Sequence, residues 1–90
     1  MSSATRTLEV VNKRGLHARA SAKFVTLAAQ SPATIEVEKD GNSVCGTSIM
    51  GLMMLGAAMG DTITIRALGD GAEAAVEQLA ALVESRFGED

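Results

Sequence analysis

Tryptophan and tyrosine are absent from this chain and phenylalanine occurs only twice, so its core has to be aliphatic. The same shortage removes the aromatic platforms on which single-stranded nucleic acids stack. Cysteine occurs once, at Cys45, which excludes an internal disulfide and fits a reducing compartment. With one cysteine and one histidine, no metal-ligand set of usual spacing can be assembled. No apolar run reaches the ~20 residues that a membrane span needs. The most apolar stretch, Ile49 to Gly60, is short and rich in glycine. The opening "MSSATRTLEV" lacks the apolar centre of a secretory signal, and the chain reads as cytoplasmic. Positive charge is also in deficit: eight basic against eleven acidic residues leave a net charge of −3. A polymer of phosphates calls for a basic surface, so nucleic acid is excluded as the main partner.

What is present suits one core. Ninety residues, 47% of them hydrophobic and 21% charged, are expected to fold as a single domain over 1–90. "TRTLEVVN" (5–12) alternates, with Arg6, Leu8 and Val10 on one side and Thr7 and Glu9 on the other, and predicts a strand. From Ala18 to Ala29 the period becomes helical, with Ala20, Phe24, Leu27 and Ala28 on one stripe, until Ser31-Pro32 stops it. "ATIEVEK" (33–39) alternates again, with Ile35 and Val37 inward. Asp40-Gly41 then signals a hairpin into the short return strand "NSVCG". "TSIMGLMMLGAA" predicts a short helix capped by Ser48, with Ile49, Leu52 and Met53 on one face. "DTITIRAL" (61–68) is the clearest strand, with Ile63 and Ile65 inward. Asp70 and Glu73 then read as a capping box, followed by an apolar stripe of Ala72, Ala75, Val76, Leu79, Leu82, Val83 and Phe87. The order is β-α-β-β-α-β-α. Strands with one apolar face need a cover that the helices can supply on one side, which predicts an α+β two-layer sandwich with an antiparallel sheet.

The one histidine falls where the first strand gives way to the first helix, inside "NKRGLHARASAKF". A helix start presents unpaired N–H groups and a partial positive charge, a ready site for phosphate. Here those donors are expected from Ala18, Arg19, Ala20 and Ser21. The Arg19 guanidinium matches phosphate oxygens with a fork of N–H groups. Gly15 lets the loop take a conformation closed to other residues and carry the ring over the helix end. Lys13, Arg14 and Lys23 complete a basic cluster within an acidic protein. Such surroundings disfavour imidazolium, and a neutral ring nitrogen is a nucleophile. His17 and Arg19 are therefore the candidate catalytic pair for phosphoryl chemistry.

The full run "KRGLHARASAKFV" resembles the active-site segment of the HPr family, the histidine-containing phosphocarriers of the bacterial phosphotransferase system. "TSIMGLMMLGA" resembles that family's second signature, a serine opening a short apolar helix. The spacing, length and element order agree as well. The resemblance implies an open-faced β-sandwich of four antiparallel strands covered on one face by three helices. It implies that His17 takes a phosphoryl group from phosphorylated enzyme I, itself charged by phosphoenolpyruvate. The ring then passes that group to a histidine of an enzyme II A component. Nδ1 would be the modified atom, Arg19 would assist, and the chain would be a monomeric carrier without cofactor, not an enzyme with its own turnover. Ser48 matches the serine that a dedicated HPr kinase/phosphorylase modifies in some bacteria. Many members have proline after the arginine where this chain has Ala20, which loses some rigidity at the helix start.

The five methionines invite a docking reading. Met50, Met53, Met54 and Met59 cannot all be buried beside one short helix, and flexible methionines suit a surface that fits several partners. Leu16, Ala20, Ile49, Met50 and Met53 are the expected docking residues, with Met53 also reaching the core and the basic residues rimming the patch. Cys45 is expected as a small core residue. Two rivals stand beside the sugar-uptake carrier: a carrier in a nitrogen-related regulatory branch, and an interaction module that transfers no phosphate. The second has no need of His17 or Arg19. A metal- or metabolite-binding α+β domain lacks support, since no Cys-x-x-Cys pair is present.

Overall fold

Asp40 and Gly41 both adopt positive φ, 51° and 83°, and so close a two-residue hairpin between β2 (Thr34–Lys39) and β3 (Asn42–Cys45). This hairpin forms one edge of the sheet in the computed structural model, which describes residues 2–89. β1 (Ser3–Glu9) forms the other edge, and β4 (Thr62–Leu68) lies between β1 and β2. The four strands run β1-β4-β2-β3, all antiparallel. The expected sheet is present.

The register follows the alternation in the sequence. Ile63, Ile65 and Ala67 of β4 face inward with Ile35 and Val37 of β2, all buried. The opposite face carries threonines and charges, with Thr7 and Thr64 sharing a 3.0 Å hydrogen bond and Arg66 paired to Glu38. That face is open to solvent. The inner face is covered by α1 (Ala18–Ala28) and α3 (Ala72–Glu84), while α2 (Ile49–Met54) packs on α1 and β3. Both phenylalanines, Phe24 and Phe87, sit fully buried within the otherwise aliphatic core. Among the described residues, no helix is long and apolar enough to cross a membrane.

Four local expectations need correction. β1 ends at Glu9 instead of reaching Asn12, because Val10 exchanges backbone bonds with Asp61 and Gly60 (both 2.8 Å) and the chain then turns away. Asp70 caps nothing: α3 starts from Gly71 in the left-handed conformation (φ 78°), with no side-chain cap. Phe87 is not on the α3 stripe, since that helix ends at Glu84 and a short 3-10 turn, Arg86–Gly88, follows. Cys45 is exposed, because it pairs with Glu36 in the register and shares that residue's outward face. A hydrogen bond with Thr47 holds its thiol below the usual range.

The turn after α3 is built at a cost. Arg86 and Phe87 have φ of 61° and 55°, and each left-handed non-glycine residue costs roughly 1–2 kcal/mol. Burying the Phe87 ring contributes roughly 1.5–3 kcal/mol in return. Lys23 of α1 donates to the Phe87 carbonyl (2.7 Å) and pins the reversal. The segment thereby doubles back toward the start of α1.

Candidate functional site

His17 is the N-cap of α1, with extended backbone (φ −72°, ψ 179°) and a ring nitrogen serving as the capping acceptor. Its position is set from behind. Gly15 has φ 60°, and a Cβ added there would meet the Ala57 carbonyl oxygen at 2.2 Å, so only glycine fits. Leu16 N–H donates to that same carbonyl (2.9 Å), fastening the loop to the segment after α2. Ser21, fully buried, donates from Oγ to the Leu16 carbonyl (3.1 Å) and ties the loop to the helix it precedes.

The two ring nitrogens have different partners. Arg19 N–H donates to Nδ1 at 3.3 Å, so Nδ1 carries a lone pair and no proton. Nε2 is hydrogen-bonded to Glu89 Oε2; an ionised carboxylate only accepts, so the proton resides on Nε2. The ring is thereby held as a single tautomer with Nδ1 turned to the helix start. The hydrogen bond from the His17 ring is the main cause that holds Glu89 below the ordinary carboxylate range. The Asn12 amide and the positive charge of Arg14 act in the same direction, against partial desolvation.

Asn12 is the buried member of this group. Its Nδ2 donates to the Gly15 carbonyl (2.8 Å) and to Glu89 Oε1 (3.1 Å), while its Oδ1 has no partner among the described residues. An unmatched buried acceptor costs about 1–3 kcal/mol. That cost accompanies an amide whose two donors are both committed, one to the histidine loop and one to the carboxylate.

Around the ring lies a cleft of about 480 Å3, lined by Lys13, Arg14, His17, Arg19, Lys23, Gly88 and Glu89. Among the described residues, four cations and one acid line it. The Arg19 side chain is exposed, as expected for a group that must reach a ligand. Of the four amides expected at the helix start, Ser21 N–H is already taken by the His17 carbonyl (2.9 Å), and that part of the expectation is corrected. Ala18 and Ala20 N–H find no partner among the described residues, and Arg19 N–H rests on Nδ1. The helix start thus offers two unpartnered amides and a third that meets Nδ1 itself.

The second signature sits on α2. Ser48 caps that helix, its Oγ accepting from Gly51 N–H (2.9 Å). Ile49, Met50, Met54 and Met59 are exposed, as a docking surface requires. Met53 is 42% exposed and does not enter the core, because a six-residue helix turns only Leu52 fully inward. Leu16 and Ala20 are corrected in the opposite sense: both are buried and offer no side chain to a partner. Leu16 is drawn in by the Ala57 bond, and Ala20 lies on the inner stripe of α1.

Sequence reasoning missed Glu89 and Asn12. The contacts of Glu89 with His17 and with Asn12 span 72 and 77 residues of chain, and no local pattern announces them. The one available signal was Phe-Gly after the last helical stripe, which hints at a chain reversal.

Comparison with known proteins finds relatives along most of the chain. A family described as "PTS HPr component phosphorylation site" matches residues 4–85. The phosphocarrier protein HPr of Cupriavidus necator is 43% identical over 84 residues, 93% of this chain and 94% of that protein. The phosphocarrier protein NPr of Shewanella violacea is 38% identical over 99% of this chain and 98% of its own length. Among solved structures, HPr-C-His from Thermoanaerobacter tengcongensis superimposes with a TM-score of 0.93 at 45% identity, covering 97% of this chain and 98% of that one.

Proposed function

This chain belongs to the HPr family of phosphocarrier proteins, and from that premise we propose that His17 Nδ1 accepts a phosphoryl group from phosphorylated enzyme I and donates it to a histidine of an enzyme II A component. The observation that carries this reading is the ring itself: an unprotonated Nδ1 turned to the start of α1, beside amides without partners among the described residues and the exposed Arg19 side chain. An anion at a helix start gains roughly 0.3–1 kcal/mol, and up to ~2 when partly buried. A charge-assisted bond from Arg19 adds about 1.5–3 kcal/mol. Stabilisation of that size moderates the phosphohistidine without trapping it.

The chain acts as a carrier that is modified and restored by its partners, working as a cytoplasmic monomer. The exposed side chains of Ile49, Met50, Met53 and Met54 form the apolar part of its docking face, with Lys13, Arg14 and Lys23 as a basic rim that steers acidic partners. Ser48 is the regulatory position, modified by an HPr kinase/phosphorylase where one exists. Its support is the placement of the hydroxyl at the start of that apolar helix, where a phosphate would add charge to the docking face.

Incubation with enzyme I and phosphoenolpyruvate, followed by intact mass spectrometry, tests the reading. One phosphoryl addition is expected, labile to acid, stable to alkali and absent from His17→Ala. Addition at full level to that variant would defeat it. A second reading keeps the chemistry but places the carrier in a nitrogen-related regulatory branch; the similarity to a protein named NPr favours it. Identifying the enzyme II A that discharges the phosphorylated chain separates the two.

A further inference from the structure

The phosphocarrier reading uses Nδ1, the helix start and the cations, and leaves Glu89 without work. Yet among the described residues Glu89 is the single acid lining a cleft that otherwise presents Lys13, Arg14, Arg19 and Lys23 around the ring. Two strained residues, Arg86 and Phe87, reverse the chain to bring it there, and Lys23 pins that reversal. A buried asparagine with an unmatched oxygen aims one of its donors at the carboxylate. Three separate features converge on one contact.

We propose that Glu89, oriented by Asn12, is a positioning residue for phosphoryl transfer: it retains the proton on Nε2 and offsets the charge that the ring bears while phosphorylated. The proposal rests on the carrier reading of His17. In the loading step the Nδ1 lone pair attacks phosphorus and an N–P bond forms. The donor's own bond to phosphorus breaks, and its electron pair leaves with the donor. His17 now bears phosphorus on Nδ1 and the original proton on Nε2, so the ring carries one positive charge. Glu89 Oε2 lies against that proton and balances it within a cleft whose other charged groups, among the described residues, are all positive. In the unloading step the acceptor nitrogen takes phosphorus and the N–P electron pair returns to Nδ1. The ring is again neutral, with its proton still on Nε2. No proton is exchanged in either direction, and no co-reactant is required. Because the leaving group is then a neutral imidazole and not an imidazolate, departure is fast.

A carboxylate that merely anchored the end of the chain would leave the ring unaffected, so the test reads the ring directly. The full chain and its Glu89→Ala, Glu89→Gln and Asn12→Ala variants are compared by ring 15N NMR of His17 and by the rate of phosphoryl exchange with enzyme I. In the unaltered protein Nε2 is the protonated nitrogen. Glu89→Ala is expected to mix the two tautomers and slow exchange about tenfold, the loss of one charge-assisted bond. Glu89→Gln keeps an acceptor oxygen for the Nε2 proton, so it is expected to restore the tautomer but only part of the rate. Asn12→Ala is expected to fall between Glu89→Ala and the unaltered protein. Unchanged tautomer and rate in Glu89→Ala would overturn the proposal, and full rate in Glu89→Gln would overturn its charge-balancing part. Failure of the unaltered protein to take phosphate on His17 would instead strike the carrier reading itself.

Discussion

Two helices in this small protein begin on a side-chain cap, and they have little else in common. At the start of α1 the cap is an imidazole, faced by four cations and one carboxylate across an open polar cleft. At the start of α2 the cap is a hydroxyl, and the residues beyond it, Ile49, Met50, Met53 and Met54, are apolar and exposed. Capping alone therefore does not make a nucleophilic nitrogen faced by cations. What separates the two is the company kept by the cap: a ring nitrogen that keeps an unprotonated lone pair, amides without partners among the described residues, and cations to receive charge. The α2 corner has the shape of a contact surface, and the α1 corner has the chemistry.

The comparison can be broken most severely by giving both helices the same cap. His17→Ser should leave α1 capped and stability within about 1 kcal/mol of the parent, measured by urea denaturation. Phosphoryl acceptance should fall below detection by mass spectrometry. A smaller effect comes from removing a cation while leaving the ring. Arg19→Ala should slow transfer from enzyme I about tenfold to a hundredfold with unchanged circular dichroism, since the side chain is exposed and leaves no hole. Transfer at the parent rate would strip Arg19 of its role. The mildest change sharpens the other corner. Ser48→Asp should keep an acceptor for Gly51 N–H, yet weaken docking to enzyme I several-fold, roughly 1 kcal/mol for one misplaced charge. Loading of His17 by a small donor such as phosphoramidate should stay unaffected. If that loading fell as well, the two corners would not be separable.

Much of this was legible in the chain. Alternation in "TITIRAL" and "TIEVEK" marks the inner faces of β4 and β2, because a strand buried on one side must place every second residue inward. His17, Gly15 and Ser48 were legible from their places at helix starts and tight loops. Cys45 was legible and misread: the two-residue hairpin pairs it with Glu36, which fixes its outward face by parity. Asp70 misled because Gly71 in a left-handed conformation begins α3 without help from a side chain. Leu16 and Ala20 misled for a different reason. Proximity to the reactive residue in sequence says nothing about which way a side chain points once backbone bonds such as Leu16 to Ala57 draw the loop inward. Glu89 and Asn12 were out of reach altogether, since their meeting depends on a backbone reversal at Arg86–Phe87 that joins opposite ends of the chain.

That reversal matters to anyone who labels the molecule. A fluorophore or affinity tag attached next to Glu89 would sit at the mouth of the cleft around His17 and, on the proposed carrier reading, compete there with docking partners. Placed instead ahead of Ser3, at the far end of a seven-residue edge strand, the same tag would hang about 20 Å from the His17 loop's point of departure. Handling choices at the bench would then decide whether an assay reports on the protein or on its decoration.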